Sequence, residues 1–243
     1  MLKLKKIAHL LDTLALFETP DSVSVDLGCG DKPRNPLRAQ KLAGIDVVQQ
    51  KSQSRGELFE FKLVFAGQDL PFEDNSVDCV SAYDFLEHLP RTPLSPGDVG
   101  EFIRMMNEIY RILKPGGVLV AVTPYFPKKA AFTDPTHVNF ITRDTHLYFS
   151  GDAYAKSLGY GFEGSFDELL VTPVGLGEPS SLWGLADVAG SSVPSVPRRR
   201  HLANFSSNPL RLAALFFTFL VRRLRRRLPK IAHHHLFWAL RKT

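Results

Sequence analysis

Cysteine is nearly absent from this chain. Only Cys29 and Cys79 occur in 243 residues, one after the first predicted strand and one inside the fourth. That excludes a disulfide framework and fits a reducing compartment. No Cys/His cluster has zinc-ligand spacing, and the triplet His233-His234-His235 lies beside a predicted strand, so no metal is expected. A signal peptide is not read at the start, where Lys3, Lys5 and Lys6 interrupt the segment from Met1 to Phe17. There Leu4, Ile7, Leu11 and Leu14 share one helix face, which reads as an N-terminal covering helix. Acidic residues are missing altogether from Arg198 to Thr243, which holds twelve of the thirty bases. Eighteen bases and twenty-five acids remain in residues 1–197, a balance of −7, so the basic character belongs to the C-terminal region alone. A general nucleic-acid surface on the core is therefore not suggested.

What the chain has in quantity is apolar residues, 44% of the total with 18 phenylalanines, enough to fill a real core. Its length suits a single domain over 1–243. Strand-like and helical patterns alternate from Val23 to about Val122, as in βαβ units of a parallel sheet. The predicted strands are Val23–Leu27, Ala43–Val47, Leu58–Val64, Val77–Ala82 and Val118–Thr123, with later ones at Phe166–Val171 and His235–Leu240. A helix is predicted from Gly100 to Lys114, with Asp98 and Glu101 as a capping box and Phe102, Met105, Ile109 and Ile112 along one face. Pro115-Gly116-Gly117 ends it. Residues 173–233 read as an insertion between the last two strands, Pro-, Gly- and Ser-rich at first like a lid, then basic and helical over 210–228.

The segment Val25-Asp26-Leu27-Gly28-Cys29-Gly30 carries a strand into a glycine-spaced turn. Glycine lets the backbone approach a ligand closely, and Asp46, twenty residues beyond Asp26, ends the second strand where a carboxylate can accept both hydroxyls of a ribose. Together they point to a nucleoside-containing cofactor on a doubly wound sheet. Further motifs follow in order: Gly44-Ile45-Asp46, Asp69-Leu70-Pro71-Phe72, Phe85-Leu86-Glu87-His88-Leu89 and Arg111-Ile112-Leu113-Lys114-Pro115-Gly116-Gly117. Over Ser22 to Pro124 the chain resembles the class I S-adenosylmethionine-dependent methyltransferases. The resemblance implies a Rossmann-like α/β fold, a mostly parallel seven-stranded sheet, and S-adenosylmethionine as cofactor. It also implies that Asp26, Gly28, Cys29 and Gly30 face the methionine portion, Asp46 with Val47 the ribose, Asp69 and Leu70 the adenine, and Tyr83 the methionine end. Lys32 stands where such proteins often have a third glycine. The incomplete glycine fingerprint argues against NAD.

Oxygen methylation benefits from a base, most often histidine. Thr133-Asp134-Pro135-Thr136-His137 follows the fifth strand, within reach of the carboxyl ends of the strands where ligands lie. Similar segments occur in methyltransferases that look like those of bacterial polysaccharide and natural-product pathways. His137 is the candidate base or substrate orienter, Asp134 its holder, and Tyr125 a candidate wall of the acceptor pocket; bracing of the loop is the competing role for the His–Asp pair. Glu87 and His88 read as braces of the segment that follows, and Cys29 as a small loop residue. Over 210–228, an apolar stripe with Phe217 and Leu224 opposes Arg222, Arg223, Arg225, Arg226 and Arg227. The charge-free part, 212–221, is about half of the roughly 20 residues a membrane span needs. It fits a helix lying on an anionic membrane surface, or one packed on its own domain with arginines in water. The resulting expectation is a cytoplasmic enzyme, peripheral on the inner face of the membrane, methylating a glycan or glycolipid-like acceptor. The alternatives are a quinone, lipid or other small-molecule acceptor, a nucleic acid gripped by the arginines, or a silent cofactor-binding scaffold.

Overall fold

Alternating β-branched runs and glycine turns fold into a sheet with helices on its faces. The structure, a computed structural model, describes residues 2–16, 18–31, 33–48, 59–64, 67–91, 99–151, 159, 161–174 and 235–243. Among them, seven strands form one sheet: β1 (Val23–Leu27), β2 (Lys41–Asp46), β3 (Phe59–Leu63), β4 (Val77–Tyr83), β5 (Leu113–Pro124), β6 (Phe166–Val174) and β7 (His235–Lys242). Their order is β3-β2-β1-β4-β5-β7-β6. The first five pair in parallel, while β7 runs antiparallel between β5 and β6. This is the doubly wound, mostly parallel α/β sheet that the pattern predicts. One compact unit comprises Met1–Val188 with His233–Thr243. The predicted lid and basic helix within 173–233 lie outside the described residues beyond Val174, as does Lys32.

Both faces of the sheet are covered, so its central strands read as continuous apolar runs. On one face α2 (Glu101–Ile112) buries Met105, Met106, Ile109 and Ile112 against Val25, Val80 and Leu119. On the other, Ile7 and Leu11 of α1 (Leu2–Thr13) pack with Cys79, Tyr83, Val120 and Phe237. Each such fully buried side chain contributes about 1.5–3 kcal/mol.

Two details depart from expectation. The N-cap of α2 is Gly100 with no side-chain cap, and Asp98 lies outside the described residues. Glu101 instead accepts from Arg104 and from the Gly67 amide. The helix also ends at Ile112 rather than Lys114. Lys114 precedes a proline, which disfavours the helical region, and Leu113 is already extended and paired with Val77.

Candidate cofactor and acceptor site

The strand order reverses between β1 and β4, and the crevice outside the carboxyl ends there is where a doubly wound sheet takes its ligand. β1 leads into Gly28 and Gly30, both with positive φ (65° and 52°) that side chains resist. A methyl at Gly28 would stand 2.9 Å from Phe85 Cδ2, whereas one at Gly30 would meet nothing within 4 Å. Gly28 is thus closed by the segment after β4, and Gly30 opens outward. Asp46, at the end of β2, holds this bend: its Oδ2 accepts from the Gly30 amide (2.9 Å) and its Oδ1 from the Val48 amide (2.9 Å). Cys29 is buried, its amide donating to Ile45 O (3.1 Å). Val47 and Val48 beside Asp46 are exposed apolar side chains.

Asp26 is fully buried rather than facing the crevice surface. Its Oδ1 accepts from Ser81 Oγ (2.6 Å) and its Oδ2 from the Arg34 amide (2.8 Å), which pins the far end of the glycine loop to β4. Burial pushes its carboxyl from 3.8 up to about 7, against the pull of Ser81 and the Arg34 amide. The folded chain therefore keeps a proton here that the unfolded chain loses, and this contribution to stability, complete below 3.8, fades as pH rises through about 7. An asparagine can still accept from the Arg34 amide and donate to Ser81 Oγ. The melting temperature of the native protein relative to Asp26→Asn is expected to decline across that window and stay level below it. A difference that does not change with pH would contradict the buried proton.

Asp69 and Leu70 sit on a loop clamped by the polar face of α2. The Leu70 amide donates to Glu108 Oε2 (2.7 Å), Arg111 Nη2 donates to Leu70 O (2.9 Å), and Arg104 Nη2 donates to Gln68 O (2.7 Å). Leu70 is buried, while the Asp69 carboxylate is 86% exposed with Arg104 Nη1 at 3.4 Å. The Tyr83 ring is buried in the layer beneath α1, with the Arg34 guanidinium 4.9 Å from its centroid.

The segment after β4 also reaches the other predicted group. Leu86–His88 is a single 3₁₀ turn, and the Glu87 carbonyl accepts from the amides of Val138 (2.9 Å) and Asn139 (3.0 Å). The Asn139 amide group donates to Leu86 O (3.1 Å) and Leu89 O (2.6 Å). Glu87 therefore braces the following loop through its backbone, and its side chain stays beside His137: His137 Nε2 lies 4.0 Å from Glu87 Oε1 and 4.0 Å from Asp134 Oδ2. Burial pushes the Glu87 carboxyl up to about 8, with Thr123 Oγ1 donating to its Oε2 at 3.0 Å. Asp134 is tied to its own turn, accepting from the Thr136 amide (2.8 Å) and hydroxyl (2.6 Å), which hold its carboxyl below the usual range. Tyr125 is buried in the core, with the Arg143 guanidinium 5.7 Å from its ring. Phe126, Phe132 and Phe140 are half-exposed around this loop, the Phe132 ring lying 6.1 Å from that of Phe126 and 5.5 Å from that of Phe140. Glu87 and His137 stand fifty positions apart and Thr123, which bonds Glu87, thirty-six from it, so no local spacing in the sequence links them. His235 pairs with Asp84 at 3.1 Å, next to the same segment.

Residues 25–121 match a family model described as a methyltransferase domain. No curated protein matches the sequence. Among solved structures, an S-adenosylmethionine-dependent methyltransferase from Archaeoglobus fulgidus is 15% identical with TM-score 0.50, covering 98% of this chain and 94% of its own. A proposed methyltransferase from Bacillus halodurans is also 15% identical at TM-score 0.50, covering 98% of each chain. At that identity the likeness is one of fold. Residues 25–121 thus carry a methyltransferase domain, with S-adenosylmethionine as its cofactor.

Proposed function

We propose that this methyltransferase acts on a hydroxyl of a glycan or glycolipid-like acceptor, with His137 beside the reacting oxygen. One observation carries the reading. The short stretch Asp84–Glu87 closes the glycine bend through Phe85 and holds the His137 loop through Glu87, so the cofactor motif and the loop share one wall. The residues fit the cofactor: an outward-opening bend at Gly30, the Asp46 carboxylate at the strand end with apolar Val47 and Val48 beside it, and the exposed Asp69 carboxylate next to buried Leu70. When bound, the cofactor supplies an electrophilic methyl on sulfur. Asp46 would accept the ribose hydroxyls, Asp69 the adenine amino group, and Asp26, from beneath, would keep the loop in register. His137 would take the hydroxyl proton as the oxygen–methyl bond forms, or orient that hydroxyl, with Asp134 setting the imidazole. Tyr125 would back the pocket from the core. Alignment of the two reactants supplies the larger share of the acceleration, about 7–11 kcal/mol where orientation is good.

The half-exposed Phe126, Phe132 and Phe140 support an acceptor with a flat or apolar face. Sugar rings and lipid chains both present one, and a quinone would as well, which is the second reading. Incubating a cell extract with isotopically methyl-labelled cofactor and the enzyme separates them by mass spectrometry. Label in the polysaccharide or glycolipid fraction is expected; label in quinones alone, or in nucleic acid, would overturn the glycan.

Among the described residues no helix is long and apolar enough to cross a membrane. We propose that residues 210–228 rest on an anionic cytoplasmic membrane surface, their phenylalanines in the lipid boundary and their arginines on headgroups. The full chain should sediment with vesicles containing anionic lipid and remain in solution with neutral ones. Equal sedimentation, or competition by RNA that persists as salt rises, would defeat this.

A further inference from the structure

Glu87, His88 and His137 offer ligand atoms that lie within 4.8 Å of one another. The set comes from two segments stitched together by the amides of Val138 and Asn139 on Glu87 O and by the Asn139 side chain on Leu86 O and Leu89 O, so its geometry is fixed from both sides. Two of its polar atoms lack a hydrogen-bond partner among the described residues. Glu87, whose side chain is 1% exposed, uses Oε2 for Thr123 but leaves Oε1 buried and unpaired, and His137 Nδ1 is likewise buried and unpaired. Among the described residues no ammonium or guanidinium reaches this carboxyl, so an idle oxygen stands beside two imidazoles, a donor set that a cation would satisfy. The His88 and His137 rings meet edge to face at 4.7 Å, and Asp134 Oδ2 stands 4.0 Å from His137.

We propose that Glu87, His88 and His137 bind one divalent cation of the first transition row. Two imidazoles and one carboxylate suit zinc, manganese, cobalt or iron better than calcium or magnesium, which prefer all-oxygen shells. Ligand distances of about 2 Å place tetrahedral donors about 3.4 Å apart, so the cation would draw the set together, with His88 exposed and its Nδ1 3.0 Å from Thr136 Oγ1. Three protein ligands leave coordination positions for water or for an acceptor oxygen. This deepens the hydroxyl-methylation reading and rests on it for its purpose: a hydroxyl on the cation loses its proton more readily. His137 then acts as a ligand: the cation acidifies the hydroxyl, whose proton passes to solvent water, and the resulting oxygen takes the methyl as its bond to sulfur breaks.

The test is direct metal binding by the full chain, with His233 and His234 replaced by alanine throughout so that the histidine triplet does not contribute. After chelator treatment and dialysis, zinc is titrated by equilibrium dialysis and cobalt by visible absorption. One equivalent is expected, with the cobalt spectrum of a mixed nitrogen and oxygen shell. His88→Ala, an exposed substitution that leaves the core intact, and Glu87→Gln should each weaken binding by more than about 100-fold, beyond what outer-shell partners are worth. Affinity in either folded variant equal to that of the parent would overturn the site, as would no binding in the parent. Because no acceptor is needed, these outcomes do not depend on the methylation reading. Turnover that survives chelation but is lost in His137→Ala would overturn the cation while leaving His137 as the base.

Discussion

Asp46→Ala is expected to abolish S-adenosylmethionine binding in a calorimetric titration, weakening it by at least about 100-fold. Two charge-assisted hydrogen bonds to ribose hydroxyls are each worth about 1.5–3 kcal/mol, and 100-fold corresponds to about 2.7 kcal/mol. The same carboxylate holds the Gly30 and Val48 amides, so the substitution also frees the bend that must approach the cofactor. Asp46→Asn separates the two effects. Its carbonyl oxygen can keep the Gly30 amide, while its amide group repels a ribose hydroxyl's proton. Loop-only dependence would leave Asp46→Asn close to the native affinity; ribose recognition requires that it fall with Asp46→Ala. Native affinity in Asp46→Ala would remove the pocket as described.

His137→Ala is expected to lower turnover by about 10²–10⁴-fold, the usual worth of a positioned acid or base, with cofactor affinity changed less than about twofold. The split arises because His137 stands against Glu87 while Gly28 stands against Phe85, at opposite ends of one short stretch. A role confined to bracing predicts the opposite signature: lowered thermal stability, with turnover per folded molecule retained. Asp134→Asn should have a smaller effect, since its carboxylate is mainly engaged with Thr136 and lies 4.0 Å from the imidazole. Unchanged turnover in His137→Ala would take the residue out of the chemistry.

The parallel half of the sheet was legible because its signal is local. Val23–Leu27 is found with the predicted bounds, and the helix over its central turns lies where the apolar spacing puts it. The later strands run longer than predicted for reasons no local pattern carries. β6 continues through Pro173 to Val174 because an edge strand tolerates a proline. β7 continues to Lys242 because that ammonium finds Asn75 Oδ1 (2.7 Å), Tyr110 O (2.7 Å) and Leu113 O (2.8 Å) at the sheet's end. The polar face of α2 looks like a solvated stripe in the sequence. Yet Glu108, Arg111 and Arg104 spend it gripping the loop that carries Asp69 and Leu70. The same limit applies at the candidate acceptor side. The glycine bend and Asp46 announce themselves by type and position, whereas the neighbourhood of His137 is assembled from strand ends and a turn whose side chains carry no mutual spacing.

At the far edge of the sheet, Val174 faces His235 in the last antiparallel pair. Sixty residues, 175–234, thus leave and return across a single rung. Excising them and splicing in a tight Asn-Gly turn would convert β6 and β7 into an ordinary hairpin, and shortening the connection from about sixty residues to about four lowers the entropy cost of closure by roughly 2 kcal/mol. The melting temperature of such a miniaturised enzyme against its parent would weigh that entropy against what residues 175–188 give the compact unit they belong to, and what it can no longer do would reveal the excised segment's task.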